Sequence, residues 1–108
     1  MRIDCHHHFW EMSPEWKAKM EEGQREPADV WMADHGPARL AEEMEKVGIE
    51  KTVLVEAWDY DRELNIHWME RAEELEMVGA VIGWADPFAG DFGELLDDYM
   101  RFSKFRGI

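Results

Sequence analysis

Apolar positions along this chain change their spacing in a regular rhythm. A short run from Ile3 to Trp10 reads as a first strand. Leu40, Met44 and Val47 recur three and four apart, the spacing of one helix face, with Pro37 at a first helical position and Gly48 as a C′ cap. Lys51 to Ala57 runs continuously apolar through Val53, Leu54 and Val55 and predicts a buried strand. Leu64, Trp68, Ala72 and Leu75 mark a second helix, with Asp59 or Asp61 as its N-cap. Met77 to Trp84 predicts a third strand. Asp91 followed by Glu94 has the form of a capping box and opens a third helix that turns Phe92, Leu95, Leu96 and Tyr99 inward. Phe105 to Ile108 begins a fourth strand.

The order is therefore β-loop-α-β-α-β-α-β. Strands that are continuously apolar, each followed by a helix, predict a parallel α/β sheet with both faces covered and right-handed crossovers. One stretch breaks the rhythm. Residues 11–36 are polar and carry Pro14, Gly23 and Pro27, which predicts a loop insertion with a short helix over 13–22. A long excursion from a strand end often carries function. Trp10, Trp16 and Trp31 surround it, either anchoring the loop or offering a stacking surface. Residues 6–12 contain no glycine, so the phosphate-cradling turn of a flavodoxin-like fold is missing.

Length and charge narrow the picture. The 108 residues suit one domain with a small core, and 25 acidic against 12 basic residues give a net charge of −13. That balance argues against nucleic-acid and anionic-membrane partners, both of which need a basic footprint. Acidic pairs such as Glu42-Glu43 and Glu73-Glu74 read as solvated helix faces. The longest apolar run, Met77 to Ala85, falls far short of the roughly 20 residues that span a bilayer. No signal-peptide pattern opens the chain, and its single cysteine allows no intrachain disulfide, both consistent with a cytoplasmic protein. Cys5 alternates with His6 and His8 and is expected as a buried structural thiol.

The chemistry concentrates at the start. Asp4, His6 and His8 alternate with Cys5 and His7, which places the first three on one strand face. Two imidazoles converging at a strand end make half of a transition-metal site. The competing reading is an exposed polar turn; a purification tag is disfavoured, because the histidines sit in an apolar frame. Asp4 is expected to orient a neighbouring imidazole or to cap the strand end. His35 and His67 stand singly and read as structural or exposed.

Ile3-Asp4-x-His6-x-His8-Phe9-Trp10 resembles the first barrel strand of the amidohydrolase superfamily, in its amidohydrolase-related branch of lactonases and decarboxylases. Met44-Glu45-Lys46-Val47-Gly48-Ile49-Glu50-Lys51-Thr52-Val53-Leu54-Val55 looks like that branch's first helix running into its second strand. Val81-Ile82-Gly83-Trp84-Ala85-Asp86-Pro87 and Lys104-Phe105-Arg106-Gly107-Ile108 look like its third strand end and fourth strand opening. The resemblance implies a partial (β/α)8 TIM barrel, residues 1–108 being its N-terminal portion, where the whole family barrel takes about 250 residues.

It further implies that His6 and His8 hold a divalent metal, zinc by preference, with the remaining ligands and an aspartate general base on later strands. The strand-end residues Glu56, Trp84 and Asp86, together with Trp10, are then expected to line a small-molecule substrate site, since barrel sites assemble at C-terminal strand ends. Asp86 before Pro87 equally fits turn chemistry, Glu56 a solvated carboxylate and Trp84 the core. Arg106 would meet a substrate carboxylate in a whole enzyme. The expected activity is metal-dependent hydrolysis of a lactone or related carbonyl compound. The alternatives are a non-oxidative decarboxylase of the same superfamily, or a non-catalytic α/β fragment. By itself the chain is expected to be inactive and to self-associate through its uncovered sheet.

Overall fold

The computed structural model of the chain describes residues 1–11, 14, 18, 33–56 and 61–108. The helix expected over 13–22 lies outside the described residues apart from Pro14 and Ala18, and Trp16 and Trp31 lie outside them too. Four strands and three helices alternate: β1 (Ile3–His7), α1 (Pro37–Val47), β2 (Lys51–Val55), α2 (Arg62–Glu74), β3 (Val78–Ile82), α3 (Phe92–Tyr99) and β4 (Phe105–Gly107). Every strand pair is parallel and the spatial order is β1-β2-β3-β4. An order without reversal, joined by right-handed crossovers, puts successive helices on the same side of the sheet.

Burial follows from that topology. Leu54 and Val81, neighbours in register, are buried with Val78, Trp68, Met69, Ala72, Leu95 and Tyr99 in one core between sheet and helices. Val53 and Val55, paired with Ala80 and Ile82, point the other way and are only half-buried. The expectation that both faces are covered is therefore corrected. Helices shield one face, and in a barrel the opposite face is covered only when further strands close over it.

Local chemistry explains most element ends. Pro37 opens α1, and Gly48 closes it at φ 69°, with the Ile49 N–H bonded to the Met44 carbonyl at 3.0 Å. Asp61 caps α2 by accepting from the Leu64 N–H at 3.1 Å, and Asp59 lies outside the described residues. Val47 leaves the apolar stripe and is exposed. The capping box expected at Asp91 does not form: its backbone, at φ −100° and ψ 11°, is outside the extended conformation of an N-cap, and its carboxylate lies 3.6 Å from Arg62. Cys5 is exposed rather than buried. It lies where the β1–β2 register breaks between Asp4 and His7, so strict alternation fails there. No described helix is long and apolar enough to cross a membrane.

Gly83 sits where α2 and α3 press closest to the sheet. A Cβ there would stand 2.5 Å from Met69 Cε and 3.2 Å from the Tyr99 ring. Met69 can swing aside, but Tyr99 is wholly buried and cannot. Gly83→Ala is therefore expected to lower unfolding free energy by about 1–3 kcal/mol through overpacking, read by urea denaturation. Gly90→Ala, with nothing within 4 Å, is the control and should change stability by less than about 0.5 kcal/mol.

Candidate functional site

The C-terminal ends of the parallel strands form one edge of the sheet, and the first strand delivers its imidazoles there. His7 turns toward the helices, where its ring meets Phe9 edge-on at 4.6 Å. Burial pushes its pKa down to about 4, against an opposing pull from Asp4, so this imidazole is neutral at pH 7. His6 and His8 converge. Their Nε2 atoms are 3.3 Å apart, with the rings nearly perpendicular at 87°.

The hydrogen bonds around the pair decide what it can do. His8 Nδ1 lies 2.8 Å from the Val55 carbonyl. A carbonyl only accepts, so Nδ1 carries the proton and a neutral His8 offers its Nε2 lone pair as an acceptor, which here faces His6 Nε2 at hydrogen-bonding distance. The Asp4 carboxylate accepts the His6 backbone N–H at 3.1 Å, so Asp4 braces the strand rather than the His6 ring. Two nitrogens bound to a tetrahedral zinc at about 2.0–2.1 Å stand roughly 3.3 Å apart, and the imidazole pair matches that separation. The two rings therefore fit one divalent metal as half of its ligand set. Among the described residues no group of three or more histidine, cysteine or acidic side chains could hold a metal.

The other expected site residues are distributed along the same edge. Glu56 follows β2, its N–H bonded to the Ile82 carbonyl at 2.9 Å. Trp84 follows β3 and is half-buried. Asp86 is exposed and accepts the Phe88 N–H at 2.9 Å, closing its own turn. Trp10 anchors the long loop: its indole N–H reaches the Ala33 carbonyl at 3.1 Å and its ring stacks on His35 at 4.1 Å. Backbone bonds of 2.9 and 3.2 Å join the same two residues. Arg106 spends its guanidinium on the carbonyls of Ser103 and Phe105.

Asn65 escapes a reading by periodicity, and so does the hydrogen bond made by Tyr99, whose burial the helix stripe does predict. The Asn65 side chain accepts the Trp84 N–H at 3.0 Å while donating to the Asp61 carbonyl at 2.9 Å. The Tyr99 hydroxyl donates to the Trp84 carbonyl at 2.9 Å. Together they hold both backbone groups of Trp84. The available sign for Asn65 was an amide standing among Trp68, Met69 and Ala72 on one helix face, all four of them buried. A polar group in that position requires partners.

No protein-family model matches the chain, and neither does any curated protein. Two solved structures do, both of an amidohydrolase from Burkholderia multivorans, one with bound HEPES and one with bound zinc. Each superposes with a TM-score of 0.80 at 27% identity over 99% of this chain. The chain is similar in sequence and fold to the amidohydrolase superfamily. It spans about a third of those proteins, 35% and 36% of their lengths, and corresponds to the N-terminal part of their TIM barrels. The amidohydrolase barrel thus accounts for an order without reversal and for the half-buried inner face.

Tyr99 gives this edge a pH dependence. Its hydroxyl is buried and Glu56 adds a like charge, so the phenol is pushed up to about 12 from its ordinary value of 10.0. Below pH 10 the phenol is neutral whether the chain is folded or not, and its contribution is complete. Above pH 10 the unfolded chain releases the proton first, so stability falls as pH rises toward 12, by about 1.4 kcal/mol per pH unit. Tyr99→Phe is expected to flatten this alkaline limb, and wild-type absorbance at 295 nm should show one tyrosine titrating late.

Proposed function

We propose that this chain supplies the first part of the active site of a metal-dependent hydrolase acting on a lactone or related carbonyl substrate. The observation that carries the reading is the His6–His8 pair, with Nε2 atoms 3.3 Å apart and the His8 tautomer set by the Val55 carbonyl. The likeness to an amidohydrolase that binds zinc supports it. His6 and His8 would hold the metal, with other ligands and the general base coming from other strands of a barrel. When bound, the metal supplies Lewis-acid activation of a carbonyl and of water.

This chain's own residues do the positioning. The Val55 carbonyl keeps His8 from rotating, and Asp4 fixes the strand at His6. Asn65 and Tyr99 hold the Trp84 backbone, so its indole, with Glu56 and Asp86, forms the floor and rim on which a small substrate is oriented. The test is a panel of sugar lactones given to the whole enzyme, stripped of metal by chelator and then reloaded with zinc. Hydrolysis should disappear and return, and His8→Ala should lower kcat/KM by at least about a hundredfold, consistent with losing a metal ligand. Release of carbon dioxide without lactone opening would instead identify a decarboxylase.

A second reading concerns the 108 residues by themselves. Val53, Val55, Ala80 and Ile82 present apolar surface on the helix-free face, and β1 and β4 are the outer strands of the sheet. Open edges and apolar faces of this kind promote pairing with another chain. Sedimentation of the 108-residue chain is expected to show dimers or larger species, and a single sharp monomer with cooperative melting would overturn the reading.

A further inference from the structure

Basic side chains are scarce here, 12 against 25 acids, and almost all those described are occupied. Each described lysine and arginine reaches a carboxylate or a main-chain carbonyl, apart from Arg39 and Arg71. Those two make no hydrogen bond or ion pair among the described residues. Of the two, Arg39 lines a cavity.

That cavity, about 220 Å3, lies between the end of β1 and the first turn of α1 and is lined by His8, His35, Gly36, Arg39, Leu40 and Glu43. It is continuous with the imidazole pair, because His8 is one of its walls. The Glu43 carboxylate is hydrogen-bonded to Lys46 at 2.8 Å, and Arg39 acts on it only as a weaker, through-space charge. His35 is a fixed wall, stacked on Trp10 at 4.1 Å and bonded to it through the backbone. No acidic residue stands in the first turn of α1, and the one carboxylate in the cavity wall, Glu43, lies a turn further on. The volume is below the roughly 300–1,000 Å3 typical of pockets for drug-sized ligands, which suits one end group of a substrate rather than the whole of it.

We propose that this cavity is a subsite for a carboxylate carried by the substrate, Arg39 supplying the charge. The substrate class is then a lactone or carbonyl compound bearing a carboxylate, its reacting carbonyl at His6 and His8 and its acid group at Arg39. This deepens the hydrolase reading and rests on it for the identity of the reacting group, but anion binding can be measured without turnover.

The experiment compares gluconate with sorbitol, a neutral molecule of nearly the same shape, in NMR titrations of the protein freed of metal on a chelating resin. Gluconate should shift the Gly36, Arg39 and Leu40 amides and the Arg39 side-chain N–H saturably, and sorbitol should not. Arg39→Gln should weaken gluconate binding by about tenfold or more, the scale of a lost charge-assisted hydrogen bond, while Arg71→Gln leaves it unchanged. Arg39 is exposed, so the variant keeps its fold, which the amide spectrum beyond the cavity verifies. Equal binding of the two ligands, no saturable shift, or an Arg39→Gln variant of unchanged affinity overturns the proposal. Gluconate binding through Arg39 in a protein that opens no lactone would sink the hydrolase reading and leave the subsite standing.

Discussion

A single hydrogen bond, between His8 Nδ1 and the Val55 carbonyl at 2.8 Å, is the contact on which the candidate site depends. It crosses from the end of the first strand to the end of the second, so sheet pairing and site geometry become one problem. The acceptor has no proton to give, which settles the tautomer and leaves Nε2 as the reactive nitrogen. Without that bond the His8 ring would turn freely about two torsions. The 3.3 Å separation from His6 would then be one arrangement among several. Parallel pairing of β1 with β2 is what brings the carbonyl within reach, and that pairing is held in turn by apolar residues that never touch the site.

Those apolar residues explain why the edge is rigid at its other end as well. Gly83 lets Met69 and Tyr99 press against the end of β3, and the same approach brings the Tyr99 hydroxyl to the Trp84 carbonyl. Asn65 then accepts the Trp84 N–H from the opposite helix. Buried polar groups usually weaken a core, but here each has a partner and converts packing into position. A side chain at Gly83 would disturb packing and placement together.

Much of this was legible from the sequence, for identifiable reasons. Helix stripes at three- and four-residue spacing located α1, α2 and α3, because a helix that packs on one side must repeat its apolar positions. The His6–His8 convergence followed from the alternation of strand faces. Cys5 was misread for a related reason: the register break between Asp4 and His7 depends on how two strands meet, which spacing within one strand does not encode. Asp91 was misread because its backbone is not in the extended conformation of an N-cap, which residue spacing does not encode. The partners of Asn65, the Tyr99–Trp84 bond and the Arg39 cavity are likewise products of tertiary approach. Local rules reach as far as the elements and stop where partners come from elsewhere.

Charge sets the final constraint on what can gather at this edge. A net charge of −13 draws cations toward the chain and repels anions and further copies of itself at long range. Screening cuts that repulsion off beyond about 8 Å at physiological salt, so short-range contacts decide what stays bound. For a metal, attraction and local chemistry agree, since imidazole lone pairs wait at the strand end. For an anionic group they conflict, and only an unpaired guanidinium can reverse the sign locally. For another polypeptide covering the inner face, the gain must come from burying Val53, Val55, Ala80 and Ile82, because charge contributes nothing in its favour. The same sheet thus presents a polar edge selective by chemistry and an apolar face selective by shape, and parallel strands with helices on one side generate both.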